Sequence, residues 1–233
     1  TAMLRLAAPA TAQTTLLRLW LNGPVSEAPP AGAELMTLLG GEKPRTLHGL
    51  VKQIQTAAAS DKIAGIVLIV DSPELGLAQI EEVHRALVAF RASGKPIHAY
   101  LDYADNRSYL LATAASDITL ADFSMIDLYG LRAEMTFYKG LLDKVGVQAD
   151  MMHCGAFKSA VEPYTRTEPS EAAAKQMNWL LDGLYERFVG LIATSRGLTP
   201  EAVRAAIDSA PLTAASALEH KLVDRVAGFP EFR

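Results

Sequence analysis

Residues 63–70, with the sequence IAGIVLIV, form the segment that decides the fold. Apolar residues fill this segment and β-branched residues dominate it, as is typical of a strand buried on both faces of a parallel sheet. We therefore expect a central strand over 63–70. The rest of the domain is expected to be arranged around that strand.

Helical and strand patterns alternate on both sides of this segment. Leu47, Leu50, Val51 and Ile54 have the spacing of one buried helical face, and a second stripe runs from Leu77 to Arg91 before Gly94 and Pro96. Further strands are predicted at 15–21, 97–101, 118–121 and 148–153, further helices at 109–115, 136–144, 170–196, from 199 and at 214–221, and a loop at 26–44. The alternation predicts an α/β fold with a largely parallel sheet and right-handed crossovers.

Composition excludes several classes of protein. The 233 residues carry 22 Lys and Arg against 26 Asp and Glu, for a net charge of −4, and 50% are hydrophobic. A chain of this length can bury a large core without disulfides or a structural metal. The charge balance and the lack of a basic cluster argue against nucleic-acid binding, which needs clustered Lys and Arg.

Targeting signals and disulfides are not evident in the sequence. Cys154 is the only cysteine, so it cannot form an intramolecular disulfide. No stretch reaches the 18 or so apolar residues of a membrane span, and the amino terminus lacks the pattern of a signal peptide. We expect the chain as given to be soluble, with any membrane anchor lying before Thr1.

Common cofactor and metal motifs are also not evident. The five histidines are scattered and only His153 and Cys154 are adjacent, so no metal site is expected. The sequence has no Gly-rich phosphate loop and no Gly-x-Ser-x-Gly elbow. We predict no metal and no cofactor, while a Ser-His-Asp triad formed by distant residues stays open.

A lysine follows the predicted strand at 148–153, within the run GAFKSAVEP at 155–163. Lys158 has apolar neighbours in Phe157 and Ala160, and burial disfavours the charged form of an amine. A neutral lysine can act as the general base for a serine nucleophile. The residues alone favour the other interpretation, a lysine whose amine extends out of an amphipathic segment into water.

Four runs together resemble the signal peptide peptidase A family, also called protease IV. They are YKGLLDKVGV at 138–147, GAFKSAVEPYTR at 155–166, Ser170-Glu171 and ALEHKLVD at 217–224, and the resemblance extends from about 16 to 226. It implies a ββα superhelix of the Clp-protease and crotonase type, with a helical C-terminal extension. The family uses a Ser-Lys dyad in membrane-associated bacterial peptidases that degrade released signal peptides, and Lys158 matches its general base.

The sequence departs from the family at the nucleophile and at the oxyanion hole. The Ser-Gly-Gly-Tyr-like turn of the family corresponds to 105–108, which places Asn106 at the nucleophile position and Ser108 two residues later. The Gly-Gly turn whose N–H groups would hold an oxyanion corresponds to 73–76. Pro73 has no N–H, and only Gly76 is expected to keep the permissive backbone of that turn.

A lysine without the serine turn resembles the amino-terminal half of the long, two-repeat members of the family. The chain would then be a single peptidase-like domain over 1–233, with a core at about 14–160 and a helical extension at about 170–226. A second half or a neighbouring subunit would supply the serine. Ser159 is a candidate to place a hydroxyl beside Lys158.

The resemblance also implies partners and a location. We expect a peptide substrate, a serine-bearing half or subunit, and a homo-oligomer joined through the helix from Ser170 and the segment 103–109. We expect the protein at the periplasmic or outer face of the bacterial cytoplasmic membrane, held by an anchor outside this chain. Two alternatives remain, a non-catalytic scaffold domain of the same fold and, less favoured because of Pro73, a crotonase-type acyl-CoA enzyme.

Overall fold

The computed structural model describes residues 15–40 and 44–232. The expected start of the core at about 14, the segment before it, and positions 41–43 of the expected loop lie outside the described residues. The chain divides into two compact units. The first unit comprises the described residues up to Tyr129 together with 194–232, and the second unit comprises Gly130–Ala193.

The elements up to residue 130 are β1 Thr15–Pro24, α1 Ala33–Leu38, α2 Leu47–Ala59, β2 Ile63–Glu74, α3 Leu77–Ala92, β3 Ile97–Leu101, β4 Ala104–Asp105, α4 Asn106–Ala112, β5 Asp117–Leu120 and β6 Met125–Asp127. They continue with α5 Lys139–Lys144, a 3₁₀ turn at Ser159–Val161, α6 Glu162–Thr165, α7 Glu171–Arg196, α8 Pro200–Asp208, β7 Leu212–Thr213, α9 Ala214–Glu219, β8 Arg225–Val226 and α10 Phe229–Phe232. No helix in the described part of the chain is both long and apolar enough to cross a bilayer.

The first unit is built on a five-stranded sheet in the order β1-β2-β3-β5-β8, with every neighbouring pair parallel. A smaller sheet, β4-β6-β7, combines one parallel and one antiparallel pair. Strand β2 is interior, as expected, because it pairs with β1 on one side and β3 on the other. The predicted α/β class and parallel sheet are therefore confirmed.

One face of the main sheet forms the core of the first unit. Ile66, Leu68 and Val70 of β2 are at most 1% exposed. Most residues of the predicted stripes of α2 and α3 are buried as well, except that Val51 is half-buried and Leu77 is exposed. Each such side chain contributes ~1.5–3 kcal/mol when it leaves water. Periodic burial of these apolar residues explains why sequence patterns locate β2, α2 and α3 correctly.

Buried polar contacts join the carboxyl-terminal segment to the sheet. Tyr109 is completely buried and donates its hydroxyl to the carbonyl of Leu222 at 2.7 Å, and burial raises the pKa of Tyr109. The guanidinium of Arg196 donates two hydrogen bonds to the carboxylate of Asp224, at 2.8 and 3.0 Å. Asp224 also exchanges hydrogen bonds with the backbone of Ile118, which brings β8 alongside β5. Leu222 and Asp224, which make these contacts, belong to the run ALEHKLVD at 217–224.

Several elements differ from their predicted bounds. Helix α1 lies inside the expected loop, α4 begins three residues early at Asn106, and α5 begins only at Lys139. The strand predicted at 148–153 is wrong, because these residues have no regular structure and no described strand pairs with them. Strand β2 continues past Val70 because Gly23 and Pro24 of β1 extend the ladder to Pro73 and Glu74.

Gly65 of β2 is required by a close backbone approach. A Cβ atom at this position would lie 2.8 Å from the carbonyl oxygen of Pro96. We expect Gly65→Ala to lower the free energy of unfolding by ~1–3 kcal/mol, because backbone atoms must shift to remove the overlap. Urea denaturation measures the change.

Gly228→Ala is the matched control in the same unit, since its nearest neighbours would be at ordinary distances of 3.6 and 3.8 Å. Its stability should stay within ~0.5 kcal/mol of the original. Equal stability of the two variants would contradict the assigned packing of β2.

Candidate active site

Asn106, which the family resemblance places at the nucleophile position, is tied to the backbone of the first unit. It opens α4 directly after Asp105, whose carboxylate accepts the N–H of Ser108 at 2.8 Å as an N-cap. The Asn106 amide donates to the carbonyl of Tyr129 at 2.8 Å and accepts the N–H of Tyr129 at 2.9 Å. A carboxamide supplies the donor and the acceptor together. Asn106 therefore has a structural role at this position.

Two tyrosines complete the surroundings of Asn106. Tyr103 and Tyr129 donate their hydroxyls to the two oxygens of Asp127, at 2.7 and 3.1 Å. The hydrogen bond to Asp127 raises the pKa of Tyr103 to about 12. Both phenols thus act as donors at neutral pH, and the carboxylate of Asp127 is held by them.

Ser108 does not replace the missing nucleophile. It lies two residues into α4 and is only 2% exposed. A hydroxyl in this position cannot reach a peptide carbonyl unless α4 moves. Because Ser108 lies two residues after Asn106, its side chain is expected to point away from the site, and its burial agrees with this.

The expected oxyanion turn has no free backbone donor at its carboxyl end. The N–H of Leu75 donates to the carbonyl of Pro73 at 3.0 Å. The N–H of Gly76 donates to the side chain of Gln79 at 2.9 Å, and Gln79 in turn donates to Glu27 at 2.7 Å. Because both N–H groups already have partners, this turn does not offer a preformed oxyanion hole.

The conformation of this turn also differs from the prediction. Gly76 has φ −72°, which any residue can adopt, so the expectation of a special glycine backbone at Gly76 is wrong. The left-handed residue is Ser72, with φ 51°. The backbone at Ser72 bears a cost of ~1 kcal/mol that β-sheet pairing on either side offsets. Pro73 is buried inside the extended β2 and, as a proline, has no N–H to donate.

An open cleft of about 470 Å³ lies at the carboxyl end of β2, lined by 72–76, Asp105 and Arg107. The carboxyl ends of parallel strands and the starts of the following helices meet at one edge of a sheet, where ligands of α/β proteins commonly bind. Ser72 is the hydroxyl in this lining, and it forms no hydrogen bond with any described acid or base. The cleft can hold a peptide segment but contains no activated nucleophile.

A buried Ser-His contact elsewhere in the first unit is structural. His84 lies 3.1 Å from the hydroxyl of Thr113 and 3.3 Å from the hydroxyl of Ser195, in both cases through Nε2. Thr113 donates to the carbonyl of Leu110 at 2.7 Å, so it accepts a proton from Nε2. A protonated Nε2 cannot take the proton of Ser195. The triad that the sequence left open is disfavoured here.

Lys158 lies on a tight turn of the second unit. Gly155 has φ 93°, and its carbonyl accepts the N–H of Lys158 at 3.1 Å, which closes the turn before the 3₁₀ turn. Lys158 is exposed, and its amine forms no hydrogen bond or ion pair with residues 15–40 or 44–232. This exposure agrees with an amine that extends into water, and neighbours in this chain do not embed it, since Phe157 is itself 55% exposed. Ser159 follows as the half-buried first residue of the 3₁₀ turn.

Glu162 anchors the segment after Lys158 to the start of α7. It is 6% exposed and accepts hydrogen bonds from the hydroxyl of Ser170 at 2.5 Å and from its N–H at 2.8 Å. Ser170 in turn accepts the N–H of Ala173, as is typical of an N-cap residue. The bonds from the Ser170 hydroxyl and N–H, with the charge of Arg166, lower the pKa of Glu162.

A second contact joins the runs at 138–147 and 155–166 within this unit. The N–H of Tyr138 donates to the carbonyl of Pro163 at 2.6 Å, and the rings of Tyr138 and Tyr164 stack with centroids 5.7 Å apart. The two runs are therefore in contact, which gives both a structural reason to carry tyrosines. Among the described residues, no group of three or more His, Cys, Asp or Glu could hold a metal ion.

Comparisons with known proteins identify similar sequences. Residues 89–232 match the family described as Peptidase family S49. The chain is 32% identical to Protease 4 of Salmonella typhi over 196 residues, which cover 78% of this chain and 31% of that protein. It is 32% identical to Protease 4 of Haemophilus influenzae, over 72% of this chain and 28% of that protein.

A shorter relative has a more specific name. The putative signal peptide peptidase SppA of Enterococcus faecium is 27% identical over 79% of this chain and 53% of that protein. The chain thus spans about a third of the length of the two Protease 4 relatives and about half of the third. Each of these proteins contains residues with no counterpart in the matched part of this chain.

The depressed pKa of Glu162 predicts a pH-dependent contribution to stability. Ionised Glu162 stabilises the fold above the pKa of an unfolded glutamate, ~4.3, and this stabilisation is lost as the pH falls through the lower folded value. We expect Glu162→Gln to lower the melting temperature at pH 7, because its amide nitrogen cannot accept from Ser170. The difference in melting temperature between Glu162→Gln and the original protein should narrow as the pH falls below ~4.

Thermal unfolding at several pH values by circular dichroism measures this difference. Glu168→Gln, which changes an exposed carboxylate on the same segment, is the matched control and should leave the melting temperature unchanged at pH 7. A difference for Glu162→Gln that stays constant from pH 7 to pH 3 would contradict the assigned role of its charge.

Proposed function

The chain belongs to peptidase family S49, and on that premise we propose that it is the lysine-bearing part of a serine-lysine peptidase whose serine lies on another domain or chain. The proposal is supported by a contrast between the surroundings of Lys158 and those of Asn106. Lys158 extends from an ordered turn without a described partner, while Asn106 at the nucleophile position is bound to Tyr129. One catalytic group is available and the other is replaced.

Lys158 would act as general base and then general acid. In the assembled site its neutral amine takes the proton of the serine hydroxyl as the serine oxygen attacks the peptide carbonyl. The amine then returns this proton to the leaving nitrogen, and water hydrolyses the acyl-serine. The N–H groups of Leu75 and Gly76 are occupied, so the oxyanion donors would come from the serine-bearing part.

The exposure of Lys158 makes the partner necessary for catalysis as well as for the serine. A solvated ammonium holds its proton at neutral pH, and burial beside apolar groups favours the neutral amine. Phe157, which is 55% exposed, and Met152, which is 96% exposed, flank this turn in the second unit. Covering these side chains by a second domain or subunit would remove the turn from water. Ser159 would then place a hydroxyl next to the amine.

The proposed arrangement treats 1–233 as one peptidase-like domain, with a core at about 14–160 and an extension at about 170–226, within a longer protein. Homo-oligomers through α7 and the segment 103–109 are part of the proposal. Its support is an open, largely apolar groove of about 420 Å³ on α7, lined by Trp179, Leu180 and Leu184 among others. Exposed apolar grooves of this kind are typical of association surfaces.

The substrate class follows from the family. We propose that the complete protein cleaves released signal peptides or similar apolar peptides at the outer face of a bacterial cytoplasmic membrane, held there by an anchor outside this chain. The name of the Enterococcus faecium relative supports this substrate class. The open cleft at the carboxyl end of β2 supports peptide binding by the first unit.

A non-catalytic scaffold of the same fold is the second candidate. The Asn106–Tyr129 contact and the occupied N–H groups favour it, because both replace catalytic geometry with structural bonds. The same occupied groups weigh against an acyl-CoA enzyme, which would need an oxyanion hole in this domain. The behaviour of Lys158 variants separates the first candidate from the second.

We expect Lys158→Ala and Lys158→Arg in the complete protein to lower kcat on a signal-like peptide by ~100-fold or more, because neither side chain can accept the serine proton at working pH. Lys158 is exposed in this chain, so both variants should fold with unchanged circular dichroism. Steady-state kinetics with a fluorogenic form of this signal-like peptide measure kcat and KM.

Lys144→Ala is the matched control, since Lys144 is an exposed lysine at the end of α5 in the same unit. It should retain the original kcat. Full activity of Lys158→Ala would exclude the lysine mechanism and favour the scaffold alternative.

A further inference from the structure

The second face of the main sheet contains a cavity that the proposed peptidase function does not use. Arg18, Val67 and His98 are in register across β1, β2 and β3, so their side chains point to the same face. This face lies opposite the buried side chains of Leu68 and its neighbours. A cavity of about 420 Å³ lies on it, which is within the range of small-molecule sites.

The floor and one wall of the cavity are apolar. Leu16, Val67 and Ile69 come from β1 and β2, and Phe229 and Phe232 come from α10. The two phenylalanine rings pack against Tyr100, with centroid distances of 5.0 and 5.1 Å. This aromatic cluster holds α10 against the sheet. The cavity therefore has an ordered apolar lining on two sides.

Three polar side chains from the described residues line the cavity, and two of them, His98 and Arg225, bond to Asp117. His98 bonds to one oxygen of Asp117 at 2.6 Å, and Arg225 bonds to the other at 2.9 Å. Both oxygens of Asp117 thus have a partner among the groups of the lining. Arg225 remains 58% exposed despite this contact.

Arg18, the third polar residue of the lining, does not bond to Asp117. It lies over the ring of Trp20, 5.0 Å from the centroid, and forms no ion pair with any residue of 15–40 or 44–232. The contact with Trp20 orients the guanidinium, and no carboxylate in the described part of the chain pairs with its charge. A cation of this kind beside an apolar cavity is complementary to a ligand with an apolar body and one anionic end.

We propose that this cavity binds an amphipathic carboxylate, with its apolar body against Phe229, Phe232 and Ile69 and its carboxylate at Arg18. A fatty acid and the free C-terminus of a short apolar peptide share this chemistry. The site is separate from the cleft at the carboxyl end of β2, because the two have no lining residue in common. It does not depend on the peptidase proposal.

Titration calorimetry with this chain measures binding, and Trp20 reports its location. Trp179→Phe removes the other of the two tryptophans, which is 76% exposed on α7. In this background we expect decanoate, kept below its micelle concentration, to bind saturably and change the Trp20 emission. Decanol, which has the same body without the charge, and acetate, which has the charge without the body, should each bind at least ~10-fold more weakly.

Arg18→Gln should weaken decanoate binding by ~10-fold, because it removes the charge-assisted contact. Arg85→Gln is the matched control, since Arg85 is an exposed arginine on α3 with a side chain 75% exposed, and it should leave binding unchanged. Circular dichroism and Trp20 emission without ligand establish that both variants keep the fold.

A second ligand pair distinguishes the two sources. A short apolar peptide with a free C-terminus and its C-terminal amide are titrated in the same way. Tighter binding of decanoate assigns the site to fatty acids, and tighter binding of the free-acid peptide assigns it to peptide ends. Either result supports the proposal if Arg18→Gln weakens the binding of the acid that binds more tightly. Binding of neither acid, or equal binding to Arg18→Gln and the original chain, would overturn it.

Discussion

The parallel pairing of β2 with β1 and β3 is the constraint on which the rest of the structure depends. It requires crossover helices on the sheet, and it brings the carboxyl ends of the strands to one edge. The cleft lined by 72–76, Asp105 and Arg107 lies at that edge. The same pairing leaves the face with Arg18 and Val67 opposite the core, where the second cavity lies. The fold thus positions two different sites through one strand.

At the carboxyl edge, the groups that the family resemblance places at the nucleophile and the oxyanion hole make structural bonds. The Asn106 amide satisfies both polar groups of the Tyr129 backbone, and the N–H groups of Leu75 and Gly76 have partners within the chain. The Asn106 carboxamide donates from its nitrogen and accepts at its oxygen, so it bonds to both backbone groups of Tyr129 at once. In the second unit, Lys158 is left without a described partner on a turn that Glu162 and Ser170 help to order. This contrast supports a division of the catalytic groups between this chain and a partner.

Local patterns in the sequence predict much of the fold. The buried runs and stripes of β2, α2 and α3 follow from periodicity, and the ends of α7 follow from the Ser170 cap and Gly197, whose φ is 64°. Features that need distant partners could not be predicted. The extension of β2 depends on pairing with β1, and the role of Asn106 depends on Tyr129, 23 residues away. The exposure of Lys158, by contrast, agrees with the interpretation that the residues alone favour, in which the amine extends into water.

The central claim is that the serine and the lysine of the active site lie on different parts of the protein. Labelling the complete protein with a fluorophosphonate and mapping the modified residue by mass spectrometry tests it most directly. We predict one modified serine outside residues 1–233, labelled much more slowly when Lys158 is replaced by alanine, and no stoichiometric labelling of this chain alone. Stoichiometric modification of Ser108, Ser159 or any other serine within residues 1–233 would contradict the account.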